Sequence, residues 1–446
     1  MIWKRGKVIA LLAAAVMGAS ALAAAGLREH ATPESSSGVD AGPSHDTTHE
    51  ALLNALGPAP EFPPEAVDAA RFDEAARIAW DFFVARERAS GGGNGLMPAT
   101  EGYDRVSIWD VGSTLAAYHS AHELGLLDDA GFESRAGRLL ETLATVPLYD
   151  DAVLNKAYVA ADGSPAGADG ADADQPTGWS ALDLGRLLVW LHVMRTQHPA
   201  LAERAAAVVE RMDLARTVAD GQLMGEGPDF AGRTQSYPEG KLGYEQYAAR
   251  GFELWGHRAA EALDLLANAA PHDVEGTMLL RDRRGGERLT SDPFVLLGLE
   301  LGWSAAERRL ALGMLEAQRK RWETTGQITV VGEDAIDRPP EYFYYYGVHQ
   351  DGHPFAASAH GSTDDPDAPR WVSAKSAWGW YALVPTGYTR RAVEAVAPAA
   401  LPGRGWRSGI YEGDATPAGI PNLNTAAVIL EAAAYAKRGA PLAGAR

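Results

Sequence analysis

Cysteine is absent from the 446-residue sequence, and basic residues are few compared with acidic ones. Without cysteine the chain has no disulfide bond, no thiolate metal ligand and no cysteine nucleophile. The 40 Lys and Arg residues against 59 Asp and Glu residues give a formal net charge of −19. Because such an acidic chain repels phosphate backbones, we expect no nucleic-acid partner.

Motifs that hold nucleotide cofactors or a nucleophilic serine are also missing. The sequence has no P-loop, no dinucleotide-binding fingerprint and no G-x-S-x-G. The segment "HQDGH" at 349–353 does not have the spacing of a known metal site. We therefore expect a protein that uses neither a cofactor nor a metal ion.

The N-terminus has the pattern of an export signal. Lys4, Arg5 and Lys7 precede an apolar run at 8–26 that contains the small-residue triplet "ALA". This run is long enough to cross a bilayer if it is not removed. Residues 1–27 are therefore predicted to be a cleaved signal peptide or a retained membrane anchor, with membrane contact only in the second case. Either way, we expect a periplasmic or secreted protein.

Composition divides the remainder of the chain into a linker and one folded domain. Residues 28–62 begin with a polar stretch rich in Ser, Asp, Glu and His, and we predict a flexible tether there. The chain is 46% hydrophobic, which is enough to bury a large core. Residues 63–446 are therefore predicted to form a single catalytic-like domain.

Apolar periodicity predicts that this domain is built from paired amphipathic helices. Apolar residues recur at spacings of three and four. The first helix, at 64–86, and the last, at 424–436, have partners only if they pair and close the chain on itself. We therefore predict an all-α (α/α)6 toroid of six inner and six outer helices, with short β-hairpins in the loops on one face. The inner helices are predicted to begin near Ser107, Ser180, Leu242, Asp292, Ser373 and Asn424.

Long connections precede several inner helices, at 149–176, 221–241, 321–370 and 402–421. Loops of this length inside a compact domain usually carry function. If all inner helices begin at the same end of the ring, these loops gather at that end as well. The sequence therefore predicts one cleft there.

Two inner helices open with an S-x-x-D pattern, at Ser107–Asp110 and Ser180–Asp183. This is a capping-box spacing, and an acidic residue is also favoured at the positive end of the helix dipole. In a toroid the same helix starts face the cleft. Asp110 and Asp183 are therefore candidates both for helix caps and for polar residues of the cleft.

A stripe of large and charged residues follows one face of the second inner helix. Trp179, Asp183, Arg186 and Trp190 are spaced four, three and four residues apart, which places them on one helical face. Asp183 and Arg186 have the i,i+3 spacing of an ion pair. Two interpretations stay open: a buried and satisfied ion pair, or a face that binds sugar rings.

The segment "EGKLGYEQYAARG" at 239–251 concentrates proton-exchanging groups at a helix start. Tyr244 and Tyr247 share a helical face, and Glu245 lies in the first turn, where the helix dipole alone would favour it. Glu239 lies in the preceding loop. Nearby aromatic groups can raise the pKa of a loop carboxyl and make it a proton donor.

Another segment, "VVGEDAIDRPPEYFYYYGVHQDG" at 330–352, combines carboxylates with a run of tyrosines. Asp334 precedes the run. If the run is a strand, Tyr342, Tyr344 and Tyr346 share one of its faces, because side chains alternate. A tyrosine-rich hairpin that only covers the core is the simpler interpretation.

The closing segment, "GIYEGD…NLNTAAVILEA", carries two more polar candidates. Glu412 lies in a Gly-bounded turn before the last helix. Asn424 is a residue type favoured at the N-cap, which is a sufficient structural explanation for it.

Together, "SIWDVGSTLAAYHSAHELGLL", "GWSALDLGRLLVWL", "EGKLGYEQYAARGFELWG" and "GIYEGD…NLNTAAVILEAAAY" resemble the bacterial domain-of-unknown-function 3131 family. The resemblance covers about 72–437, and its motifs are long and specific. That family is similar in fold to glucoamylase-like (α/α)6 enzymes, including enzymes that act on β-1,2-glucan. The resemblance therefore implies an exported (α/α)6 domain with a carbohydrate cleft. The analogy also implies an acid near Glu239 and Glu245.

We predict a glycoside hydrolase that acts on a glucan or another bacterial polysaccharide. Two carboxylates would flank the scissile bond, one as proton donor and the other to activate water or attack the sugar. Glu239 or Glu245 would be the acid, with Asp110 or Glu412 opposite. The residues predicted to bind the oligo- or polysaccharide are Trp109, Trp179, Asp183, Arg186, Tyr244, Tyr247, Asp334, Tyr344, Lys375 and Asn424.

Two other functions stay open. A polysaccharide lyase would use a tyrosine as acid and a His, Asn or Arg to neutralise a uronate, and the tyrosine cluster permits this. A cleft rich in acids would repel uronates, which counts against a lyase. A non-catalytic glycan-binding or scaffold protein of an envelope polysaccharide system also fits, because a tether follows the export signal.

Overall fold

Helices form the frame of the structure, a computed structural model that describes residues 45–90, 93–166, 178–228, 233–285, 287–338, 343–359 and 368–442. The predicted signal or anchor, 1–27, lies outside these residues. No helix within them is long and apolar enough to span a membrane.

The helices are α1 (His45–Leu56), α2 (Ala69–Ser90), α3 (Ile108–Glu123), α4 (Asp129–Leu143), α5 (Ala181–Gln197), α6 (Ala202–Glu210), α7 (Tyr244–Glu253), α8 (Ala260–Leu263), α9 (Asp292–Leu296), α10 (Ala305–Thr325), α11 (Ala374–Leu383), α12 (Gly387–Val396) and α13 (Leu423–Arg438).

Short strands occupy the connections and form small antiparallel sheets of two or three strands. β1 pairs with β4, β11 with β12, and β16 with β19. The strands are β1 (Arg105–Ser107), β2 (Leu148–Tyr149), β3 (Val153–Leu154), β4 (Ala157–Val159), β5 (Val218–Ala219), β6 (Gln222–Pro228), β7 (Thr234–Pro238), β8 (Ala269–Val274), β9 (Thr277–Asp282), β10 (Arg288–Leu289), β11 (Glu333–Ala335), β12 (Phe343–Tyr346), β13 (His349–Gln350), β14 (His353–Pro354), β15 (Ala357–Ala359), β16 (Trp371–Ser373), β17 (Ala400–Leu401), β18 (Gly405–Trp406), β19 (Gly409–Tyr411) and β20 (Pro417–Ala418).

Contacts between helices close a ring. The helices α3, α5, α7, α9, α11 and α13 each contact the next in this order, and α13 contacts α3. They begin within two residues of the inner-helix starts that the apolar pattern predicts. The short α9 continues as a π-helical turn at Leu297–Leu301, which lengthens the inner wall.

The outer helices follow the predicted pairing except at one place. The helices α2, α4, α6, α10 and α12 each contact an inner helix. The helix expected after α7, near 257–270, is reduced to α8, which has only four residues. The hairpin β8–β9 follows α8, and β9 contacts α10. The predicted helical fold with short strands is therefore present, with a hairpin in place of most of one outer helix.

Serine caps fix the starts of α3 and α5. Ser107 Oγ accepts a hydrogen bond from Asp110 N at 3.1 Å, and Ser180 Oγ accepts one from Asp183 N at 3.1 Å. These bonds satisfy first-turn N–H groups that have no partner within the helix. The capping interpretation of both S-x-x-D patterns is confirmed.

The last helix is capped by a different residue from the one predicted. Asn422 Oδ1 accepts from Thr425 N at 2.8 Å, which makes Asn422 the N-cap of α13. Asn424 lies inside the first turn, so its predicted capping role is wrong. Its Oδ1 accepts instead from Trp109 Nε1 at 3.3 Å and from Ser113 Oγ at 3.1 Å.

Part of the predicted tether is folded. The helix α1 packs against β8, β9 and α10. Leu52 is only 4% exposed and belongs to the main hydrophobic core. Arg309 Nη1 donates to Leu53 O at 3.2 Å. The prediction of a flexible linker over 28–62 is therefore wrong for His45–Leu56.

A buried arginine connects the inner helices below their starts. Arg186 on α5 is 0% exposed. Its Nε donates to Ser113 Oγ on α3 at 2.9 Å, and its Nη1 donates to Tyr247 Oη on α7 at 3.0 Å. Its guanidinium also pairs with Glu300 Oε1 and with Glu431 Oε1, each at 2.8 Å.

The predicted ion pair between Asp183 and Arg186 is wrong. Arg186 turns into the ring, where Glu300 and Glu431 are its acidic partners. Burial raises the pKa of Glu431 well above its usual range, because the charged form is costly away from water. The charge of Arg186 acts on this pKa in the opposite direction.

Replacing Arg186→Met is expected to destabilise the fold strongly, because it leaves Glu300 and Glu431 buried without a cation. Removing one partner of a buried ion pair typically costs about 3–5 kcal/mol. The control is Arg204→Met, since Arg204 and Glu141 form an exposed pair at 3.6 Å. Such exposed pairs contribute less than about 1 kcal/mol. Urea unfolding followed by tryptophan fluorescence measures both variants, and equal midpoints would contradict this account.

Candidate active site

One cleft lies at the end of the ring where the inner helices begin. About 220 Å³ of it can be occupied by water-sized molecules. Every inner helix contributes a polar residue to the cleft from its first turn. These residues are Asp110 from α3, Asp183 from α5, Tyr244 from α7, Asp292 from α9, Lys375 from α11 and Asn424 from α13.

Many of the residues predicted from the sequence line this cleft. They are Trp109, Asp110, Asp183, Glu239, Tyr244, Asp334, Lys375 and Asn424. Other charged or aromatic lining residues were not predicted. They are Lys156, Lys241, Arg288, Asp292, Glu333 and Tyr345. The lining therefore combines six carboxylates with four basic side chains, so the cleft is acidic without being uniformly negative.

Asp183, at the start of α5, has the properties of a proton donor. Burial raises its pKa to about 7, and the nearby charges of Glu239 and Asp110 act in the same direction. The charge of Lys156 acts in the opposite direction. A large share of Asp183 is therefore protonated at neutral pH, which is the form that general acid catalysis needs.

Asp110 and Lys156 reach the cleft through the pairing of β1 with β4. Ile108 N donates to Lys156 O at 3.0 Å, which holds the start of α3 beside the end of the β3–β4 turn. Asp110 Oδ2 accepts from Ser107 Oγ at 2.8 Å. Burial raises the pKa of Asp110. Its side chain is thus anchored at the cap while it faces the cleft.

Glu239 is bound at the N-terminus of α5. Its Oε2 accepts from Ala181 N at 2.6 Å and from Leu182 N at 3.4 Å. Its own N–H donates to Leu223 O at 2.8 Å, which fixes the loop after β7 to the neighbouring hairpin. A helix N-terminus favours a carboxylate at this position. Glu239 is therefore a fixed acidic neighbour of Asp183 with one oxygen already engaged.

Glu333 lies on β11 and is the second carboxyl group with a strongly raised pKa. It is directly opposite Tyr345 on β12, so the two side chains share one face of the sheet. Tyr244 Oη donates to Glu333 Oε2 at 2.6 Å. The pKa of Glu333 is raised to about 7, chiefly by burial and also by the Asp292 charge, while the Tyr244 hydrogen bond acts in the opposite direction.

Lys375 holds the backbone around Glu333 in place. Its Nζ lies 2.7 Å from Asp292 Oδ1 and 3.2 Å from Asp334 Oδ1, and it also donates to Glu333 O. Asp292 Oδ2 accepts from Glu333 N at 2.9 Å. Asp334 Oδ2 accepts from Trp371 Nε1 at 2.9 Å. Both backbone polar groups of Glu333 are therefore engaged by the starts of α9 and α11.

Trp109 gives the cleft an aromatic surface. Its ring centroid lies 5.8 Å from that of Tyr244. The Arg186 guanidinium lies 5.2 Å from the Trp109 ring, which is within the range of a cation–π interaction. The buried network around Arg186 thus supports the indole from below.

Glu245 does not line the cleft, which contradicts its prediction as the acid. Arg284 Nη1 donates to Glu245 Oε2 at 3.0 Å, and the side chain is 4% exposed. Gly240, which lines the cleft, packs directly against this carboxylate: a Cβ there would lie 2.1 Å from Glu245 Oε2. The acidic residue in the first turn of α7 is therefore held by a structural ion pair.

Glu412 also lies outside the cleft. Arg321 Nη1 and Nη2 donate to its two carboxylate oxygens at 3.1 and 3.0 Å. Tyr346 Oη donates to Glu412 Oε1 at 2.8 Å. The prediction that Glu412 faces the acid across the cleft is therefore wrong, and Glu412 lines a separate cavity instead.

Several residues predicted to bind sugar are in the interior. Trp179, Tyr247 and Tyr344 are at most 1% exposed, and Arg186 is fully buried. Tyr344 lies on the buried face of β12, while Tyr345 lines the cleft. Tyr344 and Tyr346 share one face of β12, as alternation predicts, but this face is buried, so the predicted sugar contact of Tyr344 is wrong.

The residues missed by sequence reasoning carried partial signals. Asp292 is one of the predicted inner-helix starts, and it differs from Asp110 and Asp183 only in lacking the capping pattern. Glu333 is adjacent to the predicted Asp334. Tyr342, which belongs to the predicted tyrosine face, lies outside the described residues.

Metal coordination is not supported by the described part of the chain. Among its residues, no three His, Asp or Glu side chains are grouped so that they could hold a metal ion. The carboxylates of the cleft are instead engaged by lysine, tyrosine and backbone donors.

The chain belongs to the family described as "Protein of unknown function (DUF3131)", whose model matches residues 74–439. The resemblance seen in the sequence is thereby confirmed. No curated protein sequence matches this chain.

Solved structures with a similar fold come from carbohydrate-active proteins. A glucoamylase-like protein from Bacteroides caccae has 15% identity and a TM-score of 0.60, with 84% of this chain and 94% of that chain covered. An endo-β-1,2-glucanase from Chitinophaga pinensis, in complex with sophorotriose and glucose, has 13% identity and a TM-score of 0.57, with 84% and 94% covered. An endo-β-1,2-glucanase from Talaromyces funiculosus, with β-1,2-glucan, has 12% identity and a TM-score of 0.56, with 85% of each chain covered. At these identities the similarity establishes the fold.

Replacing Tyr244→Phe is expected to raise the pKa of Glu333 above its value of about 7, because it removes a hydrogen bond that favours the ionised form. Carbon-detected NMR titration of the glutamate carboxyl groups measures the change. Tyr149→Phe is the control, since the Tyr149 hydroxyl meets only Thr234 Oγ1, at 3.4 Å and outside the cleft. A Glu333 titration that is identical in both variants would contradict the assigned hydrogen bond.

Proposed function

We propose that this protein is an exported glycoside hydrolase in which Asp183 and Glu333 form the catalytic pair. The observation that carries the proposal is that both carboxyl groups have a pKa of about 7 and line the same cleft. Asp183 belongs to α5, whereas Glu333 lies on β11, where its carboxylate accepts from Tyr244 on α7 and its backbone oxygen accepts from Lys375 on α11. The two carboxyl groups therefore reach a bound sugar from different elements of the cleft lining.

Asp183 is the proton donor in this proposal. The acidic neighbours Glu239 and Asp110 favour its protonated form. The Asp183 proton passes to the glycosidic oxygen as the bond between this oxygen and the anomeric carbon breaks. The departing sugar leaves as an alcohol, so no charged leaving group forms.

Glu333 is the base in this proposal. Tyr244 Oη already donates to one of its oxygens, so its ionised form is hydrogen-bonded. Water attacks the anomeric carbon, and Glu333 takes the proton that this water releases. The net reaction consumes one water molecule and returns both carboxyl groups to their starting states after proton exchange with solvent.

Glu239 and Asp110, predicted from the sequence as catalytic candidates, have supporting roles in this proposal. Each is anchored by a hydrogen bond at a helix start, and each acts on Asp183 through its charge. Groups that shift the pKa of a catalytic acid are common features of active sites.

The remaining lining residues suit a sugar chain. Trp109, Tyr244 and Tyr345 present aromatic surfaces, and Asn424 presents an amide. Such apolar faces with a few fixed polar groups are typical of ligand sites. The endo-β-1,2-glucanases of similar fold make β-1,2-glucan the first substrate to test. Periplasmic or secreted localisation and the complete six-plus-six toroid belong to the same proposal and are supported by the N-terminal pattern and the order of helix contacts.

Replacing Asp183→Asn or Glu333→Gln is expected to lower kcat on β-1,2-glucan by about 10²–10⁴-fold, which is the usual contribution of a general acid or base. The two roles are separable with a glycosyl fluoride, whose leaving group needs no proton. Asp183→Asn should retain activity on the fluoride, whereas Glu333→Gln should not.

Glu245→Gln is the control for this pair, because Glu245 is a buried carboxylate outside the cleft. It should leave kcat within about twofold of the parent, since it contacts no substrate. If Asp183→Asn and Glu333→Gln retain full activity on every glycan that the parent cleaves, the assignment of the pair fails.

Replacing Glu239→Gln is expected to lower the pKa of Asp183, because it removes a negative charge that raises it. The protonated acid is then lost at a lower pH, so the alkaline limb of the kcat/KM profile should move to lower pH. The amide oxygen can still accept from Ala181 N, which preserves the geometry. Glu210→Gln, an exposed change on α6, is the matched control. An alkaline limb that moves upward would contradict the proposed role of Glu239.

A further inference from the structure

A second cavity lies at the end of the paired strands β16 and β19, where Arg370 precedes β16 and Glu412 follows β19. About 380 Å³ of it can be occupied by water-sized molecules. It contains Glu412, which was predicted from the sequence as a catalytic carboxylate but lies outside the active-site cleft. Its lining residues are Arg321, Gln327, Arg338, Pro369, Arg370, Glu412 and Gly413.

The guanidinium groups in this cavity are held in place. Arg338 lies over the Tyr411 ring at 3.6 Å from its centroid and also binds Asp414. Arg370 Nε donates to Phe355 O at 2.8 Å. Arginines fixed in this way lose little side-chain freedom when they bind a ligand.

Arg321 is also fixed, and its orientation has a visible cause. Both of its Nη atoms donate to Glu412, in the two-bond arrangement that guanidinium and carboxylate groups favour. Its guanidinium lies 5.1 Å from the Phe355 ring. Glu412 therefore fixes the orientation of the Arg321 guanidinium in the wall of the cavity.

The cavity carries an excess of positive charge in a strongly acidic protein. Glu412 offsets Arg321, and Asp414 offsets Arg338. For Arg370, no acidic partner occurs among the residues that the structure describes. Within the described residues, the lining of the cavity therefore combines three guanidinium groups with one carboxylate.

We propose that this cavity binds an oxyanion, a phosphodiester or a carboxylate, through Arg370 and Arg338. Guanidinium groups bind both kinds of anion through paired N–H donors.

The position of the cavity indicates what would carry this anion. Ala335 lines the active-site cleft, and Arg338 follows three residues later, at most about 10 Å along the chain. Arg370 immediately precedes β16, which leads to Lys375 in the cleft. We therefore infer that an anionic substituent on a glycan bound in the cleft is the ligand of this cavity, an inference that rests on the proposed function.

NMR titration of the full chain at low ionic strength tests the site with two probes, dimethyl phosphate and acetate. At least one probe should bind the parent protein, and its affinity should fall as salt is added. Arg370→Met and Arg338→Met should each weaken binding by about tenfold or more, the loss expected for a hydrogen bond to a charged group. Thermal unfolding checks that both variants are folded.

Arg390→Met is the control variant, because Arg390 on α12 pairs with Glu65 and does not line the cavity. It should bind both probes as the parent does. Preference for dimethyl phosphate assigns the site to a phosphodiester, and preference for acetate assigns it to a carboxylate.

The proposal is overturned if neither probe binds, or if Arg370→Met and Arg338→Met bind as tightly as the parent. Because no hydrolysis is measured, such a failure leaves the proposed hydrolase activity standing. Conversely, if the protein binds the probes but cleaves no glycan, the proposed anion site stands and the proposed hydrolase activity fails.

Discussion

The buried guanidinium of Arg186 is the interaction on which the arrangement of the ring depends. It connects α5 with α3, α7 and α13, and with the π-helical turn after α9, through Ser113, Tyr247, Glu431 and Glu300. Two acids and one arginine without solvent are stable only if every partner is in place. The register between the inner helices is therefore fixed directly below the cleft, where the first turns must converge.

This constraint explains why the cleft can hold so many carboxylates. Each inner helix presents its N-terminus to the same end, and helix N-termini favour acidic side chains. The cleft separates the acids into two groups with different partners. Asp183 lies among other acids on one side, whereas Asp292 and Asp334 are neutralised by Lys375 on the other. Glu333, between Lys375 and Tyr244, accepts a hydrogen bond from the Tyr244 hydroxyl.

The positions of Asp110 and Asp183 were predictable because a local capping pattern marks where each helix starts. The paired helices were predictable for a similar reason, since apolar periodicity is a local property. The role of Glu333 was not predictable from the sequence, because its pKa depends on Asp292 and Tyr244. These residues are distant from Glu333 in sequence and contact it only in the folded ring. Tyr344 was predicted to face the sugar, because a run of tyrosines does not show which residues of the strand point toward the core.

The most direct test of the account is the fate of water during glycan cleavage. β-1,2-Glucan is incubated with the protein in ¹⁸O-labelled water, and the products are analysed by mass spectrometry. The account predicts one ¹⁸O atom at each new reducing end, because water attacks the anomeric carbon. Unlabelled products that absorb as unsaturated sugars, formed from a uronate-containing polysaccharide in the same water, would indicate a lyase. Binding of β-1,2-glucan and other bacterial glycans without cleavage of any of them would contradict the assignment of Asp183 and Glu333 as a catalytic pair.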